Sequence, residues 1–372
     1  MSQPKLFTPL KVGDSTLQHR VVMAPLTRFR ATDKHVPTPL MAEYYAQRAS
    51  TPGTLLITEA TFITAWAGGY PNVPGIWNDE QVAGWKQVTD AVHAQGSFIY
   101  LQLWALGRAA NADFLKASGD YPYVAASDIP LPDHGVPRPL TQEEIKEYVA
   151  AYATAARNAV RAGFDGVEVH GANGYLIDQF LQDVSNNRTD AYGGSVENRA
   201  RFAFEVLDAV TQAVGQSKVG IRLSPWGRFQ AMRMADPRPT FAYVVAEFAK
   251  RWPALAFIHV VEPRVEGNTD REPEEGESND FLRDIWAPRP FISAGGYSRE
   301  LALEVAEKKG DLIAAGRLFI SNPDLPARWQ KGVSAEKGDR AHYYNVGSPE
   351  GYVDYPFADG SVRPERFRKL PN

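Results

Sequence analysis

Phe291-Ile292-Ser293-Ala294-Gly295-Gly296-Tyr297-Ser298-Arg299-Glu300 leads through a charged segment to Leu312-Ile313-Ala314-Ala315-Gly316-Arg317. Two short apolar runs, each ending in glycine, flank a segment of helical period over Arg299-Lys308, with Ser298 as its N-cap. Strand, helix, strand in that order is a βαβ unit, which joins parallel strands through a crossover helix.

Outward from this unit the same alternation fills the chain. Apolar runs recur at Val21-Met23, Leu55-Glu59, Phe98-Leu103, Gly166-His170, Val219-Leu223 and Phe257-Val261, which with the two above make eight. Helical segments follow them at Thr38-Arg48, Asp79-Gln95, Thr141-Ala162, Arg199-Val214, Thr240-Arg251, Asn279-Trp286, Arg299-Lys308 and Asp324-Gln330. Thr141-Gln142-Glu143-Glu144 reads as a capping box. Eight strands, each followed by a helix, predict an α/β chain closed into a (β/α)8 TIM barrel rather than an open sheet. Leu6-Leu10 and Ser15-Leu17, around Val12-Gly13-Asp14, predict an N-terminal hairpin that closes the barrel floor. Long connections at Ala105-Leu140, Ser224-Pro239 and Glu262-Ser278 each follow a strand, so they belong to the carboxyl-end face where such barrels build their sites. The acidic Glu262-Ser278 stretch reads as a solvated loop.

The chain has 372 residues, 44% hydrophobic and 23% charged, enough to bury a sizeable core. No repeat, low-complexity tract or linker divides it, so the expectation is one domain over 1–372. A net charge of -4 carries no basic footprint for nucleic acid or an anionic membrane surface. With no cysteine there are no disulfides, thiolate metal sites, cysteine nucleophiles or cysteine-held iron-sulfur clusters. The start, Met1-Ser2-Gln3-Pro4-Lys5, has no apolar signal region, and no later stretch is apolar enough to span a bilayer, so the expected location is cytoplasmic.

Polar residues gather at strand ends. Thr27 follows strand one, Gln102 lies near the end of strand three, His170 ends strand four with Asn173 beyond it, and Arg222 lies near the end of strand five. Side chains from different strands at one barrel face converge on one cavity. Gly295, Gly296 and Gly316 at the last two strand exits either terminate strands or let backbone N–H groups approach a phosphate. With Arg317 beside them the second reading is preferred, and it implies a phosphorylated substrate or a mononucleotide cofactor. His170 and Asn173 offer two N–H donors for one carbonyl oxygen, an arrangement that stabilises enolate charge. Tyr175, read alone, is first an aromatic core or rim residue; in this loop it is also a neutral proton donor. Arg222 is either half of a salt bridge inside the barrel or a cation held against an anionic ligand. Trp104 either packs the loop or walls a flat ligand.

Met23-Ala24-Pro25-Leu26-Thr27-Arg28, Leu101-Gln102-Leu103-Trp104, His170-Gly171-Ala172-Asn173-Gly174-Tyr175-Leu176, Asn187-Arg188-Thr189-Asp190-Ala191-Tyr192-Gly193-Gly194-Ser195 and Gly316-Arg317-Leu318-Phe319-Ile320-Ser321-Asn322-Pro323-Asp324 together resemble the old yellow enzyme family. The resemblance runs from about Leu6 to Tyr355, with the motifs in the family's order. It implies an FMN-dependent ene-reductase reduced by NADPH or NADH. In its ping-pong cycle, hydride passes through flavin N5 to the β-carbon of an α,β-unsaturated carbonyl compound. It places Thr27 at the flavin O4 edge, Gln102 at the pyrimidine edge and Arg222 at N1/O2. Pro25 and Leu26 support the ring through backbone, while Gly295, Gly296, Gly316 and Arg317 take the phosphate. His170 and Asn173 match the carbonyl donors, Tyr175 the acid that protonates the α-carbon, and Trp104 and Tyr344 the substrate pocket. One departure stands out: Glu59-Ala60-Thr61 replaces the family's common Glu-Gly-Thr, adding a methyl at the flavin-adjacent Ala60. Fungal members with phenylalanine at the tyrosine position isomerise instead of reducing, so Tyr175 aligns this chain with the reductases.

Other chemistries fit less well. A Schiff-base aldolase needs a strand-end lysine, which none of the eight exits offers. A metal-dependent hydrolase needs converging ligands, yet only His170 and His259 lie on the predicted strands, so no metal site is expected. A flavin-binding sensor without turnover has no need of His170, Asn173 and Tyr175 together. The expected partner is a small molecule, and the chain fits either a monomer or a homodimer.

Overall fold

Val21–Met23 (β1), Leu55–Ile57 (β2), Phe98–Trp104 (β3), Gly166–Gly171 (β4), Val219–Leu223 (β5), Phe257–Val261 (β6), Phe291–Ala294 (β7) and Leu312–Ala315 (β8) close into a parallel barrel. Each strand pairs with the next, and β8 returns to β1 through Ile313↔Val21 and Ala315↔Met23. The computed structural model describes residues 3–362, so the two ends of the expected 1–372 domain lie outside it.

Alternation along each strand sorts the side chains. Val21, Met23, Leu56, Val167 and Val169 join the large core shared with the helices. Val22, Leu55, Ile57, Tyr100, Phe257 and Leu312 form a second cluster inside the barrel. The outer helices are Pro39–Arg48 (α1), Asp79–His93 (α2), Gln142–Arg161 (α3), Val196–Val214 (α4), Arg238–Arg251 (α5), Asp280–Trp286 (α6), Arg299–Lys309 (α7) and Leu325–Lys331 (α8). The Thr141 capping box is formed in both directions, and Ser298 accepts from Leu301 N–H.

The floor is apolar. The hairpin is Leu10–Val12 with Ser15–Leu17, and its Val12 and Leu17 join the inner cluster. Its first arm is shorter than expected, because Lys5–Phe7 forms a 3-10 turn. On β4 and β5, Gly166 and Gly220 leave the room that the Tyr100 and Phe257 rings occupy: an added Cβ lies 2.3 Å from each ring.

Other boundaries shift for local reasons. β2 stops at Ile57, short of Glu59, because Thr58 Oγ1 accepts from Gln102 N–H and donates to Glu59 O; extended pairing resumes at Thr61–Phe62 beside β3. α4 begins at Val196, earlier than expected, because Ser195 caps Asn198 N–H. α5 begins at Arg238, where Pro239 sits in the first turn and needs no N–H partner. The long connections carry structure of their own: a helix at Ala112–Gly119 after β3, and after β6 a two-stranded ladder pairing Val265–Glu266 with Thr269–Asp270. Among the described residues no helix is long and apolar enough to cross a membrane.

Candidate active site

A cavity of about 440 Å³ opens at the carboxyl ends of the strands. Pro25, Leu26 and Thr27 enter it after β1, Trp104 from β3, Asn173 and Tyr175 from the loop after β4, and Arg222 from β5. Gly295, Gly296, Gly316 and Arg317 line the side at the β7 and β8 exits, and Tyr344 reaches it from the carboxyl-terminal segment. Three candidates sit behind this surface. His170 stands 4.9 Å, ring centre to ring centre, from Tyr175. Gln102 is buried under the wall, and Ala60 packs with Phe62 and Trp104.

His170 is held in one form. Burial, with Arg222 and then His259 adding repulsion, pulls its pKa well below the usual histidine value, so the ring is neutral. Its Nδ1 accepts from Ala172 N–H at 3.3 Å, which leaves the single ring proton on Nε2 as a donor. Asn173 has φ +58°, and its carboxamide makes no hydrogen bond among the described residues. Tyr175 lies edge-on to Trp104 at 4.8 Å. Burial raises its phenol above the usual range, partly offset by hydrogen bonding to Gln230, so the phenol keeps its proton at neutral pH.

Beneath the wall lies a polar layer whose central residue, Glu168, the sequence did not single out. Glu168 accepts from Gln102 Nε2 at 2.8 Å and is paired with His259 Nδ1 at 2.7 Å, all three groups being buried. Arg222 is adjacent to His170 and His259 in register. Its Nε has no hydrogen-bond partner among the described residues, and burial pulls its pKa down while Glu168 opposes that shift. Alternation on β4 was the signal available: Glu168 shares the inward face of His170.

The profile of the NADH:flavin oxidoreductase / NADH oxidase family matches residues 5–336. Chanoclavine-I aldehyde reductase of Penicillium roqueforti is 55% identical over 359 residues, covering 95% of this chain and 96% of that protein. An NADP-dependent oxidoreductase of Aspergillus flavus is 52% identical over 372 residues, covering 96% and 97%. Among solved structures, the old yellow enzyme of a Pichia species superposes with a TM-score of 0.88 at 39% identity, covering 97% of this chain and 95% of the other. The chain belongs to the old yellow enzyme family. It is accordingly an oxidoreductase of an FMN flavoprotein family.

The cavity fits the cofactor of an old yellow enzyme. Among the described residues Arg222 Nε–H is buried without a partner, and an anionic ring edge bound there would satisfy it. Gln102, with its Nε2 committed to Glu168, keeps Oε1 as an acceptor. Gly295 and Gly296 have φ +134° and +61°, conformations that turn the β7 exit sharply and that side chains resist. At the β8 exit, a Cβ on Gly316 lies 3.2 Å from the Leu26 side chain. Arg317 is already engaged, forming an ion pair with Asp270.

That pair corrects one expectation. The Glu262-Ser278 stretch is a wall of the cavity rather than only a solvated loop, since Val265, Gly267, Asn268 and Thr269 line it and Asn268 bonds to the Tyr344 hydroxyl at 3.4 Å. Phe29, Tyr70, Phe229 and Arg340 also line it and were not anticipated. Arg28 and Arg30 hold the carboxyl-terminal segment in place through the carbonyls of Tyr343, Ser348, Glu350 and Gly351. Arg28 adjoins the Pro25-Leu26-Thr27 motif, but a buried arginine whose guanidinium bonds carbonyls and the Tyr44 hydroxyl, with no carboxylate partner among the described residues, leaves no charge pattern to read.

Proposed function

We propose that the chain is an FMN-dependent ene-reductase that uses NADPH or NADH to reduce the carbon-carbon double bond of α,β-unsaturated carbonyl compounds. The observation that carries this reading is the convergence of a free carboxamide, a neutral phenol and a buried arginine on one cavity, with a neutral imidazole against the phenol directly behind its surface. Pro25, Leu26, Thr27, Ala60, Gln102 and Arg222 would hold the flavin ring, and Gly295, Gly296, Gly316 and Arg317 its phosphate. Bound FMN, once reduced by NADPH or NADH, supplies the hydride that the β-carbon of the substrate accepts. His170 Nε2–H and the Asn173 amide hold the carbonyl oxygen and stabilise the charge that builds on it. Tyr175 gives its phenolic proton to the α-carbon. Trp104 and Tyr344 wall the substrate and exclude water. One domain over 1–372, a cytoplasmic location, and a monomer or homodimer belong to the same proposal. The test is anaerobic: the yellow protein bleaches on adding NADPH and regains its colour with cyclohexenone. A protein that carries no flavin, or whose bleached form cyclohexenone leaves bleached, sinks the reading.

A further inference from the structure

Between Asn173 and Tyr175 the chain makes a turn with consecutive left-handed residues, Asn173 at φ +58° and Gly174 at φ +77°. Asparagine tolerates that region at some cost, so something must hold it there. All four backbone polar groups of these two residues are bonded to side chains. Asn173 N–H donates to Ser224 Oγ at 2.7 Å, and Asn173 O accepts from Gln230 Nε2 at 2.8 Å. Gly174 N–H donates to Asp178 Oδ2 at 2.9 Å, and Gly174 O accepts from Gln179 Nε2 at 2.7 Å.

Asp178 is the hub of this arrangement. It is fully buried on the short helix Leu176–Leu181. Beyond Gly174 N–H it accepts from Gln182 Nε2 at 2.8 Å and from Ser224 Oγ at 3.4 Å. One carboxylate thus reaches Gly174 directly and Asn173 through the Ser224 hydroxyl. Burial pushes its carboxyl up to about 6, against the hydrogen bonds that hold it down, so at neutral pH it remains mainly an anionic acceptor. A neutral residue of the same size accepts at only one of its two ends. A buried carboxylate that makes no direct ion pair among the described residues, with Arg108 helping it only from a distance, is costly, and packing alone does not require one.

We propose that Asp178 is a positioning residue for catalysis: with Ser224 as its relay, it fixes the Asn173-Gly174 turn so that the Asn173 amide and the Tyr175 phenol meet the same substrate. This rests on the reading of Asn173 and Tyr175 given above.

The test uses FMN-loaded enzyme and three variants, Asp178→Ala, Asp178→Asn and Ser224→Ala. Binding of a para-substituted phenol, read by its long-wavelength charge-transfer band, reports the donor pair. Stopped-flow reoxidation by cyclohexenone reports the acid, and reoxidation by dioxygen serves as the control. Loss of hydrogen bonds to a charged group predicts phenol binding weakened by about 10- to 100-fold in Asp178→Ala, with a slowing of the cyclohexenone step by a similar factor. FMN occupancy and the dioxygen step should stay within about twofold of wild type. Asp178→Asn, which keeps one acceptor, should fall between, and Ser224→Ala should weaken phenol binding by several-fold. If Asp178→Ala does not fold, the other two variants decide by the same readouts. Phenol binding and cyclohexenone reoxidation both within twofold of wild type in the folded variants overturn the proposal. So does an equal slowing of the dioxygen step, which marks a purely structural role. Failure of the underlying reading looks different, because the wild-type enzyme itself then gives no phenol band.

Discussion

The two ends of the barrel interior are built on opposite principles. At the floor, Val12, Leu17, Val22, Leu55, Phe257 and Leu312 pack apolar surface, and two glycines admit the Tyr100 and Phe257 rings. At the top, the same strands present Gln102, Glu168, His170, Arg222 and His259, five polar side chains in place of the floor's hydrocarbon; among the described residues Arg222 Nε and His259 Nε2 lack partners there, as the Tyr100 hydroxyl does at the floor. The difference teaches where the fold keeps its stability and where it spends some of it. Burial of hydrocarbon secures closure at one end, while buried polar side chains, Arg222 among them, gather beside the cavity at the other.

The sharpest test of that division removes one of the floor's rings. Phe257→Ala should cost about 3–5 kcal/mol in unfolding free energy, through lost burial and the cavity left behind. The flavin spectrum and the phenol band should persist, and their loss without a comparable loss of stability would break the comparison.

The floor also holds a titrating group. His19 lies buried just before β1, with Nδ1 accepting from Val21 N–H at 3.2 Å and Nε2 3.0 Å from Thr54 Oγ1. Burial pulls its pKa down from 6.5 to about 4. The unfolded chain therefore takes up the proton first as pH falls. The stability His19 contributes is fully present above its unfolded value and is lost between 6.5 and about 4, on the order of 3 kcal/mol in all. His19→Gln should flatten the acid limb of the stability curve over that window. An unaltered slope in urea titrations across pH 4–7 removes His19 from the explanation.

At the top, Tyr175→Phe deletes one oxygen and no packing. Reoxidation by cyclohexenone should slow by roughly 10²-fold, with reduction by NADPH nearly unchanged and reoxidation by dioxygen persisting. Equal slowing of all three steps in stopped-flow traces assigns Tyr175 to the fold instead. The smallest effect is expected at Arg317, since Asp270 already occupies its guanidinium. Arg317→Ala should weaken FMN binding by about tenfold, the low end for a charged hydrogen bond. Unchanged affinity in a fluorescence titration puts the phosphate elsewhere.

The sequence alone determined the barrel, its hairpin floor, the glycine exits and part of the cavity lining, Thr27, Asn173, Tyr175 and Arg222 among it. Those features rest on apolar period and turn chemistry, which act over a few residues and are written locally. The approach of Leu10–Val12 to the inner cluster and the positions of Pro25, Arg222 and Gly295 follow once eight strands alternate in and out. The polar partnerships were decided only by tertiary structure. Gln102 meets Glu168 across 66 residues as its neighbour in register, and Glu168 meets His259 across 91, past the intervening β5. The neutral His170 with its proton on Nε2, the Asp178 anchor under Asn173 and the Asp270 partner of Arg317 belong to the same class. A hydrogen bond needs an atom within about 3 Å at the right angle, and a chain position carries no such information until the barrel has closed around it.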